Sequence, residues 1–285
     1  MRTLSIVVCA AILGGCAIVV APGMDGDYQV STPFSGVEGN GVIARETRPV
    51  GAVQGLDVSG AVVVDVRVGP APSLVVEADG NLLPLVRTDV RGDALVVAVE
   101  RSYHTRNPIR VTYTTPRLSD LRQSGSGRLT VLDLNGAPLS AVHSGSGTLV
   151  LAGRVASLDL NVTGSGTTDA AGLHSGGARV ALSGSGRVNV GEVRGDMAVV
   201  NLDGSGRLNV GGAVRSLRAR STGSGHLDLA TLASQQGDLA STGSGGITAT
   251  VHETLSAQND GSGGIRVFGN PAQRSVSGKS VQLVN

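Results

Sequence analysis

The chain has 285 residues and a near balance of charge, 23 Lys and Arg against 22 Asp and Glu, which excludes the strongly basic surface that nucleic-acid binding demands. Its hydrophobic fraction of 40% comes mainly from Val, Leu, Ala and Ile, with no Trp, two Phe and three Tyr, so a core must be thin and regular. The 43 Gly argue against helices, where Gly costs backbone entropy, and both cysteines, Cys9 and Cys16, fall in the first 16 residues, which leaves the body without a disulfide framework or a thiolate metal site.

Met1-Arg2 is followed by an apolar run from Leu4 to Leu13 and by the small residues Gly14 and Gly15; residues 1–15 therefore read as a secretory signal segment. The string Leu13-Gly14-Gly15-Cys16 resembles the bacterial lipobox, which implies cleavage before Cys16 and acylation of its sulfur and new amino terminus. Several acyl chains would hold the body on a membrane far more firmly than one. Apolarity continues from Ala17 to Ala21, so the rival reading is an uncleaved anchor of about 18 residues, at the lower limit for spanning. Ala17 after the cysteine resembles the default for sorting to the outer membrane in double-membrane bacteria. The expected location is an exported, membrane-anchored one: outer membrane, periplasm or cell surface. Residues 16–49 read as the lipidated N-terminus and a flexible tether, because Pro22, Pro33 and Pro49 stand among Gly and polar residues without periodicity.

The body begins near Val50 and runs to residue 285. Its first part, residues 50–118, carries long strand-like runs at Leu56–Val66, Leu74–Glu77, Ala94–Val99 and Ile109–Tyr113, separated by turn signals at Gly69-Pro70, Asp79-Gly80-Asn81, Arg91-Gly92-Asp93 and Asn107-Pro108.

Residues 119–285 are a repeat. Gly-Ser-Gly occurs eight times, starting at Gly125, Gly145, Gly164, Gly184, Gly204, Gly223, Gly243 and Gly261, at intervals of 20, 19, 20, 20, 19, 20 and 18. Two and four residues past the triplets come apolar pairs such as Leu129/Val131, Leu149/Leu151, Val188/Val190 and Leu208/Val210, and before them Leu160/Val162, Val180/Leu182 and Val200/Leu202. This alternation marks one strand entering each triplet and another leaving it, each with one face buried. A unit of about 20 residues cannot bury that face alone, but coils stacked every ~4.8 Å close a continuous core. The fold class is all-β: a parallel β-helix, or solenoid, whose eight coils make a rod of roughly 40 Å.

The triplets read as corners, with Gly supplying the backbone angles and the eight serines stacking as a hydroxyl ladder. No triplet is followed by the Lys-Ser/Thr of a phosphate loop, and the Asp of calcium-binding nonapeptides is missing. A weaker coil is expected near residues 167–177, where Thr167-Thr168-Asp169-Ala170-Ala171 replaces the apolar pair. Val276, Val281 and Leu283 are candidates for a cap on the final coil.

The Asp93–Val97 strand, the segment Ile109–Pro116 and Leu118-Ser119-Asp120-Leu121 running into the first triplet resemble the head GIN domain family of auto-transporter adhesins. The resemblance covers about residues 50–285. It implies a β-helical exported domain, commonly on lipoproteins; right-handed coiling follows from it and from the usual hand of parallel crossovers. No catalytic residues come with it.

Counting around the coils places Arg128, Thr148, Thr167, Arg187, Arg207 and His226 one above another on an outer face, with Arg218 and Arg220 on a second face. Such a column suits acidic ligands, although a solvated surface is the plainer expectation. No residue is assigned to catalysis, to a metal or to a cofactor. Asp228 has Asn209 and Thr248 as its neighbours in adjacent coils and Asp159 has Ser140 and Arg179, so the paired carboxylates of a glycosidase are missing. The expectation is a non-enzymatic cell-envelope lipoprotein presenting a rigid β-helix for adhesion or envelope interaction. Its partners would be the membrane, through Cys16, and envelope glycans or proteins. The rivals are a carbohydrate- or anion-binding sensor, and a polysaccharide-active enzyme.

Overall fold

The computed structural model describes residues 36–284 and, in addition, the backbone of two short strands, Val19–Pro22 and Tyr28–Ser31, which pair antiparallel. The signal segment and Cys16 lie outside the described residues. Strands make up almost all of the secondary structure among the described residues, where the one helical element is a short 3-10 turn, Leu83–Leu85. No helix is long and apolar enough to cross a membrane among the described residues.

The repeat forms the expected parallel solenoid. Strands Asp120–Gly125, Leu139–Gly145, Leu158–Gly164 and Ala178–Gly184 enter successive corners, and Arg128–Asn135, Thr148–Val155 and Thr167–Ser175 leave them. From Arg187 onward, incoming and outgoing segments merge into single long strands such as Arg187–Gly204 and Arg207–Gly223. Pairing is residue for residue, so one inward column runs Leu121, Ala141, Leu160, Val180, Val200, Ala219, Leu239, Ala257. A second runs Leu129, Leu149, Thr168, Val188, Leu208, Leu227, Ile247, Ile265. All of these are buried and nearly all are aliphatic, so one continuous apolar core fills the rod. Burial of such columns is the main stabilising term, since a single coil hides little surface by itself.

The corners are tied by main chain. The Gly184 carbonyl accepts both the Ser205 and the Gly206 N–H, at 3.0 and 2.9 Å, and the same double acceptance recurs at Gly125, Gly145, Gly164, Gly204 and Gly223. Gly184 has φ +123°, and a Cβ there would lie 2.5 Å from the Gly164 carbonyl oxygen, so the corner requires glycine on both counts. The expected hydroxyl ladder does not form. Ser262 to Ser244, at 3.3 Å, is the one hydroxyl-to-hydroxyl rung between triplets among the described residues, because the serine side chains point out of the corner into solvent while their N–H groups make the rung.

The coil at residues 167–177 is filled rather than broken. Thr168 and Ala170 point inward, fully buried, and the Thr168 hydroxyl lies 2.8 Å from Nδ1 of His143, itself 0% exposed. Burial holds the His143 pKa below its ordinary value. Beside His143 in the same column, Gln123 donates its amide to the carbonyls of Gly127 and Thr148. At the far end Asn259 repeats this device toward Gly263 and Lys279.

The first part departs from the repeat. Gly55–Ser59 and Val63–Val68 form a coil under the first triplet coil, with Ser59-Gly60-Ala61-Val62 as its corner: Gly60 has φ +98° and accepts the Gly127 N–H at 3.1 Å. Ala94–Val99 and Arg110–Thr115 form another coil beneath that one. The chain therefore lays the Gly55 coil first, leaves it, and returns below it before climbing past it to Asp120. Antiparallel strands close this end: Ser73–Asp79 pairs with both Arg110–Thr115 and Ile43–Arg48, and Val86–Arg91 pairs with Ala94–Val99. Ile43–Arg48 and Val37–Glu38, the latter paired with Tyr103–His104, fall inside the stretch expected to be tether. Their alternation is too short to separate from irregular chain in sequence.

The other end differs from expectation. Val276, Val281 and Leu283 belong to a last stacked coil, Gln273–Gly278 and Val281–Val284. Val276 is 46% and Leu283 36% exposed, so these side chains continue the inward columns without closing them.

Candidate functional site

The residue after each of the first six triplets opens the outgoing strand and points outward, beside the serine of its own corner. Stacking therefore builds a groove with serines on one wall and the next column on the other. Register sets that column: Arg128 over Thr148, Thr148 over Thr167, then Arg187, Arg207 and His226. The groove, of about 330 Å³, brings together Ser165, Ser185, Ser205 and Ser224 with Thr167, Arg187, Arg207 and His226. The serine wall has no distinct signal in the sequence, where the same regular spacing fits a ladder of hydroxyls equally well.

Arg128 stands three rungs from Arg187, about 14 Å at the usual strand spacing, and does not line the groove. Arg218 and Arg220 lie on the incoming strand across the corner, and Arg218 meets Asp238 at 3.3 Å. The structure thus joins Arg187, Arg207 and His226, and separates the other three from them.

Electrostatics distinguish this groove from its neighbours. Away from the triplets, a cleft of about 290 Å³ holds Arg154, His174 and Arg194, but Glu192 sits among them, 2.8 Å from His174 and 2.5 Å from Arg194. Arg194 first and His174 second hold the Glu192 carboxyl below its usual range. A third cleft pairs Arg215 with Asp196 at 3.1 Å. No acidic residue lines the serine groove, and neither Arg187 nor Arg207 enters an ion pair among the described residues. Adjacent guanidiniums repel, and the arrangement is relieved by water or by an anion.

Asp228 does stack between Asn209 and Thr248, and Asp159 between Ser140 and Arg179, so neither has a second carboxylate in its column's adjacent coils. Among the described residues, no three His, Cys, Asp or Glu gather as a metal-ligand set.

The fold and this surface define a parallel β-solenoid with a polar, cation-bearing groove on one edge. Residues 53–193 and 173–271 match the family described as "Putative auto-transporter adhesin, head GIN domain", and the chain belongs to that family. It is similar to crystal structures of a "putative adhesin" from Parabacteroides merdae ATCC 43184 and a "Putative lipid binding protein" from Parabacteroides distasonis ATCC 8503. Each has 21% identity, a TM-score of 0.67, and coverage of 87% of this chain and 99% of the other. A "putative adhesin" from Parabacteroides distasonis ATCC 8503 has 20% identity and a TM-score of 0.63, covering 88% of this chain and 100% of the other. At these identities the likeness shows the fold. No curated protein matches the chain.

Proposed function

We propose that the protein is a non-enzymatic cell-envelope lipoprotein, anchored through Cys16, whose rod is presented for adhesion through the face that carries Arg187 and Arg207. The observation that carries this reading is the serine groove's pair of arginines without any carboxylate, on a rod whose neighbouring clefts each hold one, Glu192 or Asp196. Membership of a family described as an adhesin supports it, as does a stiff stacked body, which holds a contact face well away from an anchor.

The test is adhesion of the full chain, purified in detergent, to arrayed glycans and envelope fragments. Saturable capture is expected; absence of capture on every surface overturns the reading. For the anchor, labelling of cells with a radioactive fatty acid is expected to mark the native chain and not Cys16→Ser. Equal labelling of both would remove the lipoprotein assignment.

A further inference from the structure

The serine groove crosses four coils, and the middle two are near copies of each other. Gly184-Ser185-Gly186-Arg187-Val188-Asn189-Val190-Gly191 and Gly204-Ser205-Gly206-Arg207-Leu208-Asn209-Val210-Gly211 differ only at Val188 and Leu208, both buried in one inward column. Everything these two segments present outward is therefore duplicated one rung apart: a guanidinium, a serine hydroxyl and an Asn. The coils on either side put Thr167 and His226 where these two put Arg, so the pair stands alone within the groove.

From this we infer that the groove is a binding site for a phosphate or sulfate ester carried on a glycan, with the ester held between Arg187 and Arg207. The inference rests on the reading of this face as the contact face and names what it contacts. Arg187 and Arg207 are exposed and pair with no carboxylate among the described residues, and the Ser185, Ser205 and Ser224 hydroxyls are not engaged by one another, so donors converge from both walls onto one space. An ester group offers three terminal oxygens to such an array, whereas a carboxylate offers two in one plane. The space of about 330 Å³ exceeds what the ester alone fills, leaving room for the sugar that bears it.

Charge, not stacking, must supply the affinity. Tyr103, Tyr113 and Phe268 lie in the base and at the far end of the rod, and among the described residues no Phe or Tyr lines the groove to serve as a platform for a neutral sugar. The exposed large apolar residues, among them Ile43, Val90, Met197 and Leu283, are also outside the lining, so among the described residues no large apolar side chain stands at the groove to enter a bilayer beside a lipid phosphate.

The deciding experiment is calorimetric titration of the full chain in detergent with glucose 6-phosphate, glucose 6-sulfate, glucuronate and glucose. Vesicles of phosphatidate in phosphatidylcholine form a separate arm. Both esters are expected to bind saturably and glucose not at all, with affinity falling as salt rises. Arg187→Gln/Arg207→Gln is expected to weaken the esters by about tenfold or more, as the loss of charge-assisted hydrogen bonds implies. Arg101→Gln/Arg106→Gln, which removes the same charge from exposed positions in the base, is expected to leave them within about twofold. No ester binding, equal weakening in both double variants, glucuronate bound as tightly as the esters, or a preference for phosphatidate vesicles over plain phosphatidylcholine vesicles that Arg187→Gln/Arg207→Gln removes would each overturn the inference. Adhesion that persists without ester binding would sink the site and leave adhesion through another face. Ester binding by a chain that adheres to nothing would do the reverse.

Discussion

In the repeat, one coil is fastened to the next by the same main-chain contacts at corner after corner, a glycine carbonyl accepting two N–H groups from the coil above. In the base, the strand pairing is supplemented by side-chain fastenings, each used once. Arg48 donates to the carbonyls of Leu83 and Val86 and to Thr88; Asp79 accepts from Thr105 at 2.5 Å and Asn107 at 2.7 Å; Tyr103 donates to the Ala61 carbonyl at 2.6 Å. A periodic stack can use periodic backbone bonds because each coil meets a copy of itself. The base joins antiparallel strands to parallel coils laid out of chain order, so no repeated contact is available to it. The repeat should therefore be sensitive at its glycines and tolerant at its outer side chains, and the base the opposite.

The largest effect is expected from Gly184→Ala. The substitution puts a Cβ in a left-handed conformation and 2.5 Å from the Gly164 carbonyl, which should cost about 3 kcal/mol or more from strain and displaced packing together. Thermal unfolding followed by circular dichroism should show a fall of roughly 6–12 °C at the usual conversion for a chain of this size. Gly136→Ala is the comparator: φ is +100° there, but nothing lies within 4 Å of the added carbon, so only the conformational cost of about 1–2 kcal/mol applies. Equal losses for the two would mean that coil-to-coil contact does not set the requirement for glycine.

Arg48→Ala tests the other half. Its side chain is 15% exposed, and removing it strands two carbonyls at a cost of about 2 kcal/mol. The loss should be local: hydrogen exchange should speed up in Ile43–Arg48 and Ser73–Asp79, while amides beyond Ala178 keep their protection. Uniform deprotection along the rod would show that base and repeat unfold as one unit.

The same contrast explains what can be read from the chain. The eight triplets and their flanking apolar pairs state a coil length, and counting within it places Arg187 over Arg207 without coordinates. The Gly55 coil escapes that reading because its corner is Ser59-Gly60-Ala61, and because the coil that stacks beneath it comes later in the chain than the antiparallel strands between. Ile43–Arg48 escapes it because an edge strand needs no inward run of aliphatics. The serine wall is visible as residues but not as a surface, since whether a hydroxyl points to the next coil or to solvent depends on corner geometry that a residue count does not carry. His143 has no signal of its own in the sequence; its partner Thr168 is 25 residues away, one coil up and around the corner.

His143 introduces a titratable group into the core of the rod, and with it a smaller, pH-dependent effect. Burial lowers its folded pKa below the unfolded value of about 6.5, so the unfolded chain takes up the proton first. Stability should be level above about pH 6.5 and fall as the pH drops from there toward the folded pKa. Asp79, held low by Asn107 and then Thr105, and Glu192, held low by Arg194 and then His174, lose their contribution only in a second window, below the ordinary carboxylate values. His143→Gln, which copies Gln123 one coil away in the same column, should abolish the first decline in melting temperature and keep the second. A decline unchanged by the substitution would place its origin elsewhere.

The smallest effect sharpens the comparison most, because it falls one residue from the largest. Ser185 contributes its N–H to the corner, donating to the Gly164 carbonyl at 3.0 Å, and any residue with an amide proton supplies that. Its side chain is exposed, and Cβ is already present in serine, so Ser185→Ala adds no contact and removes only a solvated hydroxyl. The change should stay within about 0.5 kcal/mol, a shift of about 1–2 °C in the same melt that registers Gly184→Ala. If Ser185→Ala instead costs as much as Gly184→Ala, the hydroxyls hold the corners together after all, and the main-chain account of the repeat fails at its central point. If it is silent, the serines of the groove are free of structural duty, and an effect of the same substitution on ester binding reports on recognition alone.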